Sequence, residues 1–371
     1  ARKVDPDQPA AILALARAEA AEGDPQGARQ RLEQFLAKPR ASAHERAVTL
    51  NALGDALDQL GEIDAAFTAY RSGAEELARL YGGGGGAGST LRLAERLTTD
   101  IRELPEGAWR SLPATAAPAV AAGHVFLLGF PRSGTTMLGQ ALAGHPDVVT
   151  LDERPTLADA AQVFTFPPDG LERLLAASET ELAPLREAYW SRVREGGAAP
   201  EGKVFVDKLP MNTLGLPLIR RLFPQARVLF LRRDPRDVVL SCLRRQFVVD
   251  ATTLDLLRPE SAARLYDQVM RLMEIGRERL GLEVREQAYE SLVTNFEGEM
   301  KALCAFLNLD FTPDMAAFAE RAGLVATPSA AQLARGLNTE GVGVWRRYAA
   351  HLADIQDILA PWVTRFGYAA D

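Results

Sequence analysis

The stretch FLLGFPRSGTTM, residues 126–137, decides the fold of this sequence and raises its functional question. It runs from an apolar segment through one glycine, four further residues and a second glycine into two threonines. A strand that ends in such a turn at the start of a helix is typical of a P-loop, whose backbone N–H groups bind phosphate. The Walker form has lysine directly after its second glycine. Here Thr135 takes that position and Arg132 lies inside the loop, so the sequence predicts an anion-binding loop without its lysine.

Short apolar runs alternate with helical segments from residue 124 onward. The helical segments include 261–280 and 298–307, and the runs are HVFLLGF, DVVTL, KVFVD, ARVLFLR and LEVREQA. Apolar strands separated by helices indicate a parallel sheet that is covered on both faces. We therefore predict an α/β domain over residues 121–371, with a P-loop-type parallel sheet flanked by helices.

The first 82 residues have the spacing of helical repeats. The better match to a tetratricopeptide repeat is Leu50, Leu53, Gly54, Leu57, Gly61, Ala66 and Tyr70, and a weaker copy lies 38 residues earlier at Ile12, Leu15, Ala16, Gly23, Ala28 and Leu32. Small residues at such positions let two helices approach closely. The alternative is an ordinary pair of helical hairpins. We predict an all-α repeat region over 1–82 and a Gly/Pro/Ala-rich linker with one helix over 83–120.

Composition excludes several classes of function. The chain has 371 residues and a net charge of −7, which argues against a nucleic-acid partner. No apolar run reaches the roughly 18 residues of a membrane span. Two cysteines and four histidines show neither a disulfide framework nor metal-ligand spacing, so we expect no metal and a reducing, cytoplasmic location. The chain begins at Ala1 without methionine, so the sequence leaves open whether upstream residues were removed, and it also leaves the oligomeric state open.

A second group of candidate residues lies in FLRRDPRDVVLSCLRR, residues 230–245. The surrounding stretch 219–245 holds eight arginines against two aspartates, a local positive field in an acidic chain. Arg233 leaves a predicted strand, and Ser241 and Arg245 lie one turn apart on the helix that follows. An arginine fork with a nearby hydroxyl is suited to a second, separate phosphate.

The two motifs together resemble the sulfotransferases that use 3′-phosphoadenosine 5′-phosphosulfate (PAPS), over roughly residues 124–352. That resemblance implies that Arg233 and Ser241, with Arg245 nearby, hold the 3′-phosphate of the donor. It implies that the first loop holds the 5′-phosphosulfate through Arg132, Ser133, Gly134, Thr135 and Thr136. PAPS would be the donor and 3′-phosphoadenosine 5′-phosphate (PAP) the product, and we expect no Mg²⁺ requirement because backbone amides and side-chain cations stabilise the reacting end.

Within this family the tyrosylprotein sulfotransferases are the most similar pattern. They imply that Glu153, 21 residues after Arg132, is the catalytic base, with Asp152 as the rival carboxylate. They also imply that Lys208, in VFVDKLPMN, stabilises the leaving oxygen together with Arg132. Tyr289 in AYESLV would contact the adenine, although core packing is the alternative. The C-terminal segment 336–352 resembles the part that closes over the nucleotide but lacks the usual hydroxyl before its tryptophan.

The sequence therefore predicts an enzyme that transfers a sulfuryl group from PAPS to an acceptor hydroxyl. The acceptor could be tyrosine of a peptide or protein presented by the helical repeats, and sugars, lipids and small phenols stay open. Two alternatives remain: a nucleotide-dependent P-loop kinase, and a non-enzymatic repeat scaffold with a decayed nucleotide site.

Overall fold

The structure, a computed structural model, describes residues 8–38, 41–82, 89–109, 119–245, 247, 249–318 and 336–369. The chain divides into two compact units. The helical unit comprises Ala1–Leu91, Asp234–Asp267 and Gly343–Asp371, and the sheet unit comprises Arg92–Arg233 and Gln268–Val342. The glycine-rich and Pro/Ala-rich parts of the predicted linker, 83–88 and 110–118, lie outside the described residues. The predicted boundaries at residues 82 and 120 stay predictions.

Five parallel strands form the sheet in the described part of the chain. They are β1 (Gly123–Gly129), β2 (Val148–Asp152), β3 (Val204–Lys208), β4 (Arg227–Arg232) and β5 (Glu283–Ala288), in the order β2-β3-β1-β4-β5. Each strand coincides with one of the five apolar runs in the sequence, so the predicted α/β fold is confirmed. The three central strands are almost entirely buried, because helices cover both faces of a parallel sheet.

Helices account for most of the remaining described residues. In chain order they are α1 (Pro9–Ala21), α2 (Pro25–Leu36), α3 (Ala43–Gln59), α4 (Ile63–Tyr81), α5 (Thr90–Glu103), α6 (Thr135–Leu142), α7 (Ala158–Phe164), α8 (Gly170–Ala176), α9 (Glu179–Glu195), α10 (Leu216–Leu222), α11 (Pro235–Leu243), α12 (Ala251–Leu256), α13 (Pro259–Arg279), α14 (Tyr289–Thr294), α15 (Phe296–Leu307) and α16 (Gln356–Arg365). In the part of the chain that the structure describes, 3₁₀ helices span Pro210–Gly215, Pro313–Ala316 and Val344–Ile355. The helices α13 and α15 confirm the two predicted segments to within a few residues.

The strand register brings all five carboxyl ends to one edge of the sheet. Asp152 pairs with Lys208 across β2 and β3, and Gly129 pairs with Leu231 across β1 and β4. On the other side of β1, the last residue of β4, Arg232, pairs with the last residue of β5, Ala288. Because parallel strands point the same way, the residue that follows each strand reaches the same crevice, where ligands bind in open α/β sheets.

The helical unit contains two helical hairpins, α1–α2 and α3–α4. At the crossing of α3 and α4, a Cβ added to Gly54 would lie 2.5 Å from the ring of buried Tyr70, so only glycine permits this approach. In the first hairpin, Glu19 forms an ion pair with Arg31, with Nε–Oε distances of 3.0 and 3.1 Å. Glu19 corresponds to Leu57 in the second hairpin, and its pairing with Arg31 explains why an acidic residue is accommodated at this repeat position. The region is helical as predicted, and its assignment to tetratricopeptide repeats stays a prediction.

Asp58 connects α3 to other segments of the helical unit. Its carboxylate pairs with Arg244, just past the end of α11, at 2.8 Å. It also accepts a hydrogen bond of 2.5 Å from the hydroxyl of Tyr348 in the C-terminal 3₁₀ helix. Arg347 lies 3.1 Å from the same carboxylate. The second hairpin is therefore joined by charge to α11, the helix that carries Ser241.

We predict that Gly54→Ala lowers the stability of the helical unit by about 1–3 kcal/mol, the range for overpacking a buried site. Unfolding by urea, followed by circular dichroism, measures the change. Gly82→Ala is the matched control: Gly82 has a negative φ of −79° and no atom within 4 Å of an added Cβ. Equal midpoints for the two variants would contradict the close approach of α3 and α4.

Candidate active site

The loop after β1 has the backbone conformation of an anion cradle. Arg132 and Gly134 both lie in the left-handed region, with φ of 72° and 97°. Glycine is required at both ends of the turn: a Cβ at Gly129 would lie 2.6 Å from the carbonyl oxygen of Leu231, and one at Gly134 would lie 2.5 Å from the ring of Tyr289. A left-handed non-glycine residue costs about 1–3 kcal/mol and persists only where the surroundings hold it, which is common at functional sites.

The hydroxyl groups of the loop are enclosed. Ser133, Thr135 and Thr136 are 1%, 3% and 6% exposed. The Ser133 hydroxyl is buried and has no hydrogen-bond partner among the described residues. An unpaired buried hydroxyl costs free energy, so this atom fits a loop that binds a phosphate or sulfate oxygen.

Lys208 places a buried ammonium group at the end of β3. Its side chain is fully buried, and its ammonium lies 2.9 Å from the Glu153 carboxylate and 3.4 Å from the Asp152 carboxylate. Both acids come from the end of β2, the strand that pairs with β3. A buried ammonium needs such partners, because an unpaired charge away from water is strongly destabilising.

The two carboxylates differ in their surroundings. Asp152 accepts a hydrogen bond from the Gln140 amide at 3.2 Å, and its side chain is 26% exposed. Glu153 is 40% exposed and has a left-handed φ of 50°, while its backbone N–H donates to the carbonyl of Lys208 at 2.7 Å. Glu153 is therefore the more exposed of the two carboxylates, and its role as the catalytic base stays a prediction.

Arg233 brings several predicted site residues together in the sheet unit. Its guanidinium donates to the backbone carbonyl of Arg132 at 2.9 Å and to the carbonyl of Gly341. It also lies over the ring of Tyr289, with 4.8 Å from Cζ to the ring centroid. Arg233 thus joins the loop between β1 and α6, the start of α14 and the backbone at Gly341. Tyr289 is 6% exposed and packs against Gly134, so it has a packing role, and adenine contact stays a prediction.

Ser241 and Arg245 belong to the helical unit. Ser241 lies in the last turn of α11, whose first turn contains Pro235 as predicted. Arg245 follows the end of that helix, so the expected one-turn relation on a single helix does not extend to it. Burial raises the pKa of Asp55 in α3, and the charge of Arg245 opposes that rise. The assignment of Ser241 and Arg245 to the nucleotide stays a prediction.

Asp237, which the sequence analysis did not single out, organises the C-terminal segment within the helical unit. Its carboxylate accepts the backbone N–H of Gly343 at 2.7 Å and that of Trp345 at 2.8 Å. The guanidinium of Arg236 lies 3.6 Å from the Trp345 ring centroid. Because the Gly343 N–H donates to Asp237, this carboxylate holds the segment around Trp345 although the segment lacks the hydroxyl that the resemblance implies before the tryptophan.

A further group that the sequence analysis missed lies beneath Lys208. Asp207 is fully buried and accepts hydrogen bonds from Thr156 and Tyr189. An acid inside an otherwise apolar strand was the available signal for it, but its partners are distant in sequence.

Several negative findings hold for the described residues. Within them, no group of three or more His, Cys, Asp or Glu side chains could hold a metal ion. In the same part of the chain, every helix is too short or too polar to cross a membrane. Cys242 and Cys304 are both free thiols and both buried.

Comparison with known proteins gives a family match and several distant relatives. Residues 124–313 match the family model described as "Sulfotransferase family". An uncharacterised protein of Aquifex aeolicus is 27% identical over 63% of this chain, which spans about a third of that protein (32%). Protein-tyrosine sulfotransferase 2 of Gallus gallus is 27% identical over 66% of this chain and 69% of its own length. The sulfotransferase domain of the Synechococcus PCC 7002 olefin synthase superposes with a TM-score of 0.45 at 22% identity, covering 64% of this chain and 91% of that one.

We predict that the carboxylates at the end of β2 stabilise the fold by pairing with Lys208. The double variant Asp152→Asn/Glu153→Gln leaves the buried ammonium without a charged partner. Because Glu153 is partly exposed, we expect a loss of about 2 kcal/mol in the free energy of unfolding, below the range for fully buried pairs.

Adding Lys208→Met to that double variant removes the buried charge and should recover at least half of the loss. Urea unfolding of the wild type, the double and the triple variant measures both steps. A triple variant less stable than the double would show that the ammonium is not the source of the instability.

Proposed function

The chain belongs to the sulfotransferase family, and we propose that it transfers the sulfuryl group of PAPS to a hydroxyl group of an acceptor. The observation that carries this proposal is the convergence of an anion-binding loop, a buried lysine and an accessible carboxylate at one edge of the sheet. These are the phosphate-binding, charge-stabilising and proton-accepting groups that sulfuryl transfer needs. The convergence also argues against a scaffold with a decayed site.

The 5′-phosphosulfate would be held by the loop between β1 and α6. Its backbone N–H groups, the start of α6 and the buried Ser133 hydroxyl suit a tetrahedral anion. Arg132 adds a cation from within the loop. Thr135 stands where a Walker loop has lysine, and Lys208 from β3 supplies an ammonium instead. A donor with one phosphate and one sulfate at its reacting end needs less countercharge than a nucleoside triphosphate with its Mg²⁺.

In the transfer step, Glu153 accepts the proton of the acceptor hydroxyl as the hydroxyl oxygen bonds to sulfur. The bond between sulfur and the bridging phosphate oxygen breaks, and that oxygen leaves with its electron pair on PAP. Lys208 and Arg132 stabilise the negative charge that develops on the leaving phosphate. Positioning of acceptor and donor in line supplies much of the rate. The products are a sulfate ester, PAP and a protonated Glu153.

The 3′-phosphate would be recognised by Arg233 and Ser241, with Arg245 as a further candidate, as the family resemblance implies. Arg233 already holds the loop through the Arg132 carbonyl, so its substitution would disturb the loop as well as the nucleotide. Ser241 is the cleaner probe, because its side chain is not part of the phosphate loop.

For the acceptor, we propose tyrosine in a peptide or protein. Two observations support it. The relatives include a protein-tyrosine sulfotransferase, and the exposed carboxylate at the end of β2 is Glu153, the position that the tyrosylprotein pattern assigns to the base. Helical hairpins offer a surface on which an extended peptide can bind. Incubation with labelled PAPS and panels of peptides, glycans and phenols identifies the acceptor class.

We predict that Glu153→Gln and Lys208→Ala retain affinity for PAP within about threefold but lower kcat for sulfuryl transfer by about 100-fold or more, the effect typical of removing a general base or a charge-stabilising donor. Calorimetry with PAP and transfer of labelled sulfuryl groups measure the two quantities.

Glu172→Gln and Lys203→Ala are the matched controls for these two variants, since Glu172 lies in α8 and Lys203 precedes β3. Both should transfer at the wild-type rate. Full turnover by Glu153→Gln or by Lys208→Ala would remove that residue from the mechanism.

We predict that Ser241→Ala weakens PAP binding about tenfold, as expected for the loss of a hydrogen bond to a charged group, and leaves binding of adenosine 5′-phosphate unchanged. The difference isolates the 3′-phosphate, which only PAP carries. Ser191→Ala, in α9, is the control and should bind both ligands normally. An equal loss for both ligands in Ser241→Ala would contradict the assignment of Ser241 to the 3′-phosphate.

A further inference from the structure

Asp207 is a buried carboxylate that no step of the proposed transfer uses. It lies in β3 directly before Lys208, and none of its surface is exposed. Its Oδ2 accepts hydrogen bonds from Thr156 Oγ1 at 2.6 Å and from the Tyr189 hydroxyl at 2.9 Å. Burial raises the pKa of Asp207 to about 6, and these two hydrogen bonds oppose the rise. At neutral pH it is therefore an ionised acceptor for two hydroxyl groups.

The donors of this network have a defined direction. The single hydroxyl proton of Tyr189 goes to Asp207, so its oxygen accepts from Nε2 of His124, 2.7 Å away. Burial lowers the pKa of His124 to about 3, and the ring is therefore neutral with its proton on Nε2. Tyr189 therefore accepts one hydrogen bond, from His124, and Asp207 accepts two, from Tyr189 and Thr156. Of these donors, Thr156 is the one that lies in the segment after β2.

Fold stability alone gives a weak reason for a carboxylate at this position. Burying an ionised group costs several kcal/mol even with good partners, and an apolar residue of similar volume is often as stable or more so. The neighbouring residues of β3, Val206 and Phe205, are apolar and fully buried. Asp207 departs from that pattern at the position where β3 accepts a hydrogen bond from Thr156, in the segment that leads away from Glu153.

Besides the ion pair between the Lys208 ammonium and the Glu153 carboxylate, two hydrogen bonds hold the segment Glu153–Thr156 to β3. The Glu153 N–H donates to the carbonyl of Lys208 at 2.7 Å, and three residues later Thr156 donates to Asp207. Between these contacts Arg154 and Pro155 are exposed, whereas Thr156 is 1% exposed. Glu153 also has a left-handed backbone, which requires surroundings that hold it. The second contact is thus the buried anchor of an otherwise exposed turn.

We propose, on the basis of the proposed function, that Asp207 is a positioning residue. Through its hydrogen bond from Thr156 it fixes the segment after β2 and so sets where the Glu153 carboxylate meets the acceptor hydroxyl. Asp207 touches neither donor nor acceptor; it acts through Thr156 on Glu153. Loss of that anchor should change the rate of transfer and spare the binding of the nucleotide.

The test compares Thr156→Val with Thr156→Ser. Valine keeps the shape and removes the hydroxyl, whereas serine keeps the hydroxyl. We expect Thr156→Val to lower kcat about tenfold or more, since a small misplacement of a catalytic group has large effects, with KM for PAPS and Kd for PAP within twofold of wild type. Thr156→Ser should retain most of the rate. Thr98→Val removes another buried threonine hydroxyl, which donates to Ala94 O at 2.8 Å, and should transfer normally.

A double-mutant cycle with Glu153→Gln separates positioning from a general loss of structure. If Thr156 acts through Glu153, adding Thr156→Val to Glu153→Gln should change the residual rate less than twofold. A tenfold further loss in that background would overturn the proposal. So would a Thr156→Val enzyme with the wild-type kcat.

Hydrogen exchange gives a readout that does not depend on activity. The Glu153 amide should exchange at least tenfold faster in Thr156→Val than in wild type, with Thr156→Ser and Thr98→Val unchanged. Unchanged exchange in Thr156→Val would overturn the anchor. If the wild-type protein transfers no sulfuryl group to any acceptor, the proposed function fails, and the exchange result alone then decides whether Asp207 and Thr156 hold the segment.

Discussion

The buried ammonium of Lys208 is the interaction on which the candidate site depends. Its side chain has no exposed surface, and two carboxylates from the neighbouring strand lie 2.9 and 3.4 Å away. Burying this ammonium costs free energy, which the two carboxylates offset. Losing the carboxylates would therefore leave a buried charge without a partner. We propose that the charge that a Walker loop carries in its own lysine comes here from Lys208 in the neighbouring strand. In that proposal, Arg132 and Ser133 of the loop bind the anion.

Parallel topology makes this arrangement possible. In the order β2-β3-β1-β4-β5 the strand with the carboxylates, the strand with the lysine and the strand with the loop are direct neighbours. Their ends are in register, so residues far apart in sequence converge at one edge of the sheet. Two of the residues at this edge, Arg132 and Glu153, have left-handed backbones, which indicates that the surrounding contacts hold the site in one conformation.

Much of the fold could be predicted from the sequence because its signals are local. Each strand is an apolar run, and the loop between β1 and α6 has glycines at two positions where a Cβ would collide with neighbouring atoms. Glu153 was predicted from the family spacing and Lys208 from its Lys-x-Pro context, and the structure places the two side chains in one ion pair. Contacts that join distant segments were out of reach, as with Thr156 and Asp207 or Asp237 and the Trp345 amide, since no pattern in either segment indicates its partner. The end of α11 before Arg245 could not be predicted for a similar reason. Arg244 pairs with Asp58 of α3, and the charge of Arg245 opposes the burial that raises the pKa of Asp55 in the same helix. Both acids are distant from these arginines in sequence.

We propose that the loop after β1, which has no lysine of its own, binds a phosphosulfate donor without a divalent ion and with the help of Lys208 from the neighbouring strand. Calorimetric titration of the full chain with PAP in EDTA, against ATP with Mg²⁺, tests it most directly. We expect PAP to bind with a Kd at least 100-fold lower than that of ATP–Mg²⁺. Tighter binding of ATP–Mg²⁺ would indicate a kinase, absence of binding by either nucleotide would indicate a scaffold, and each result would contradict the claim.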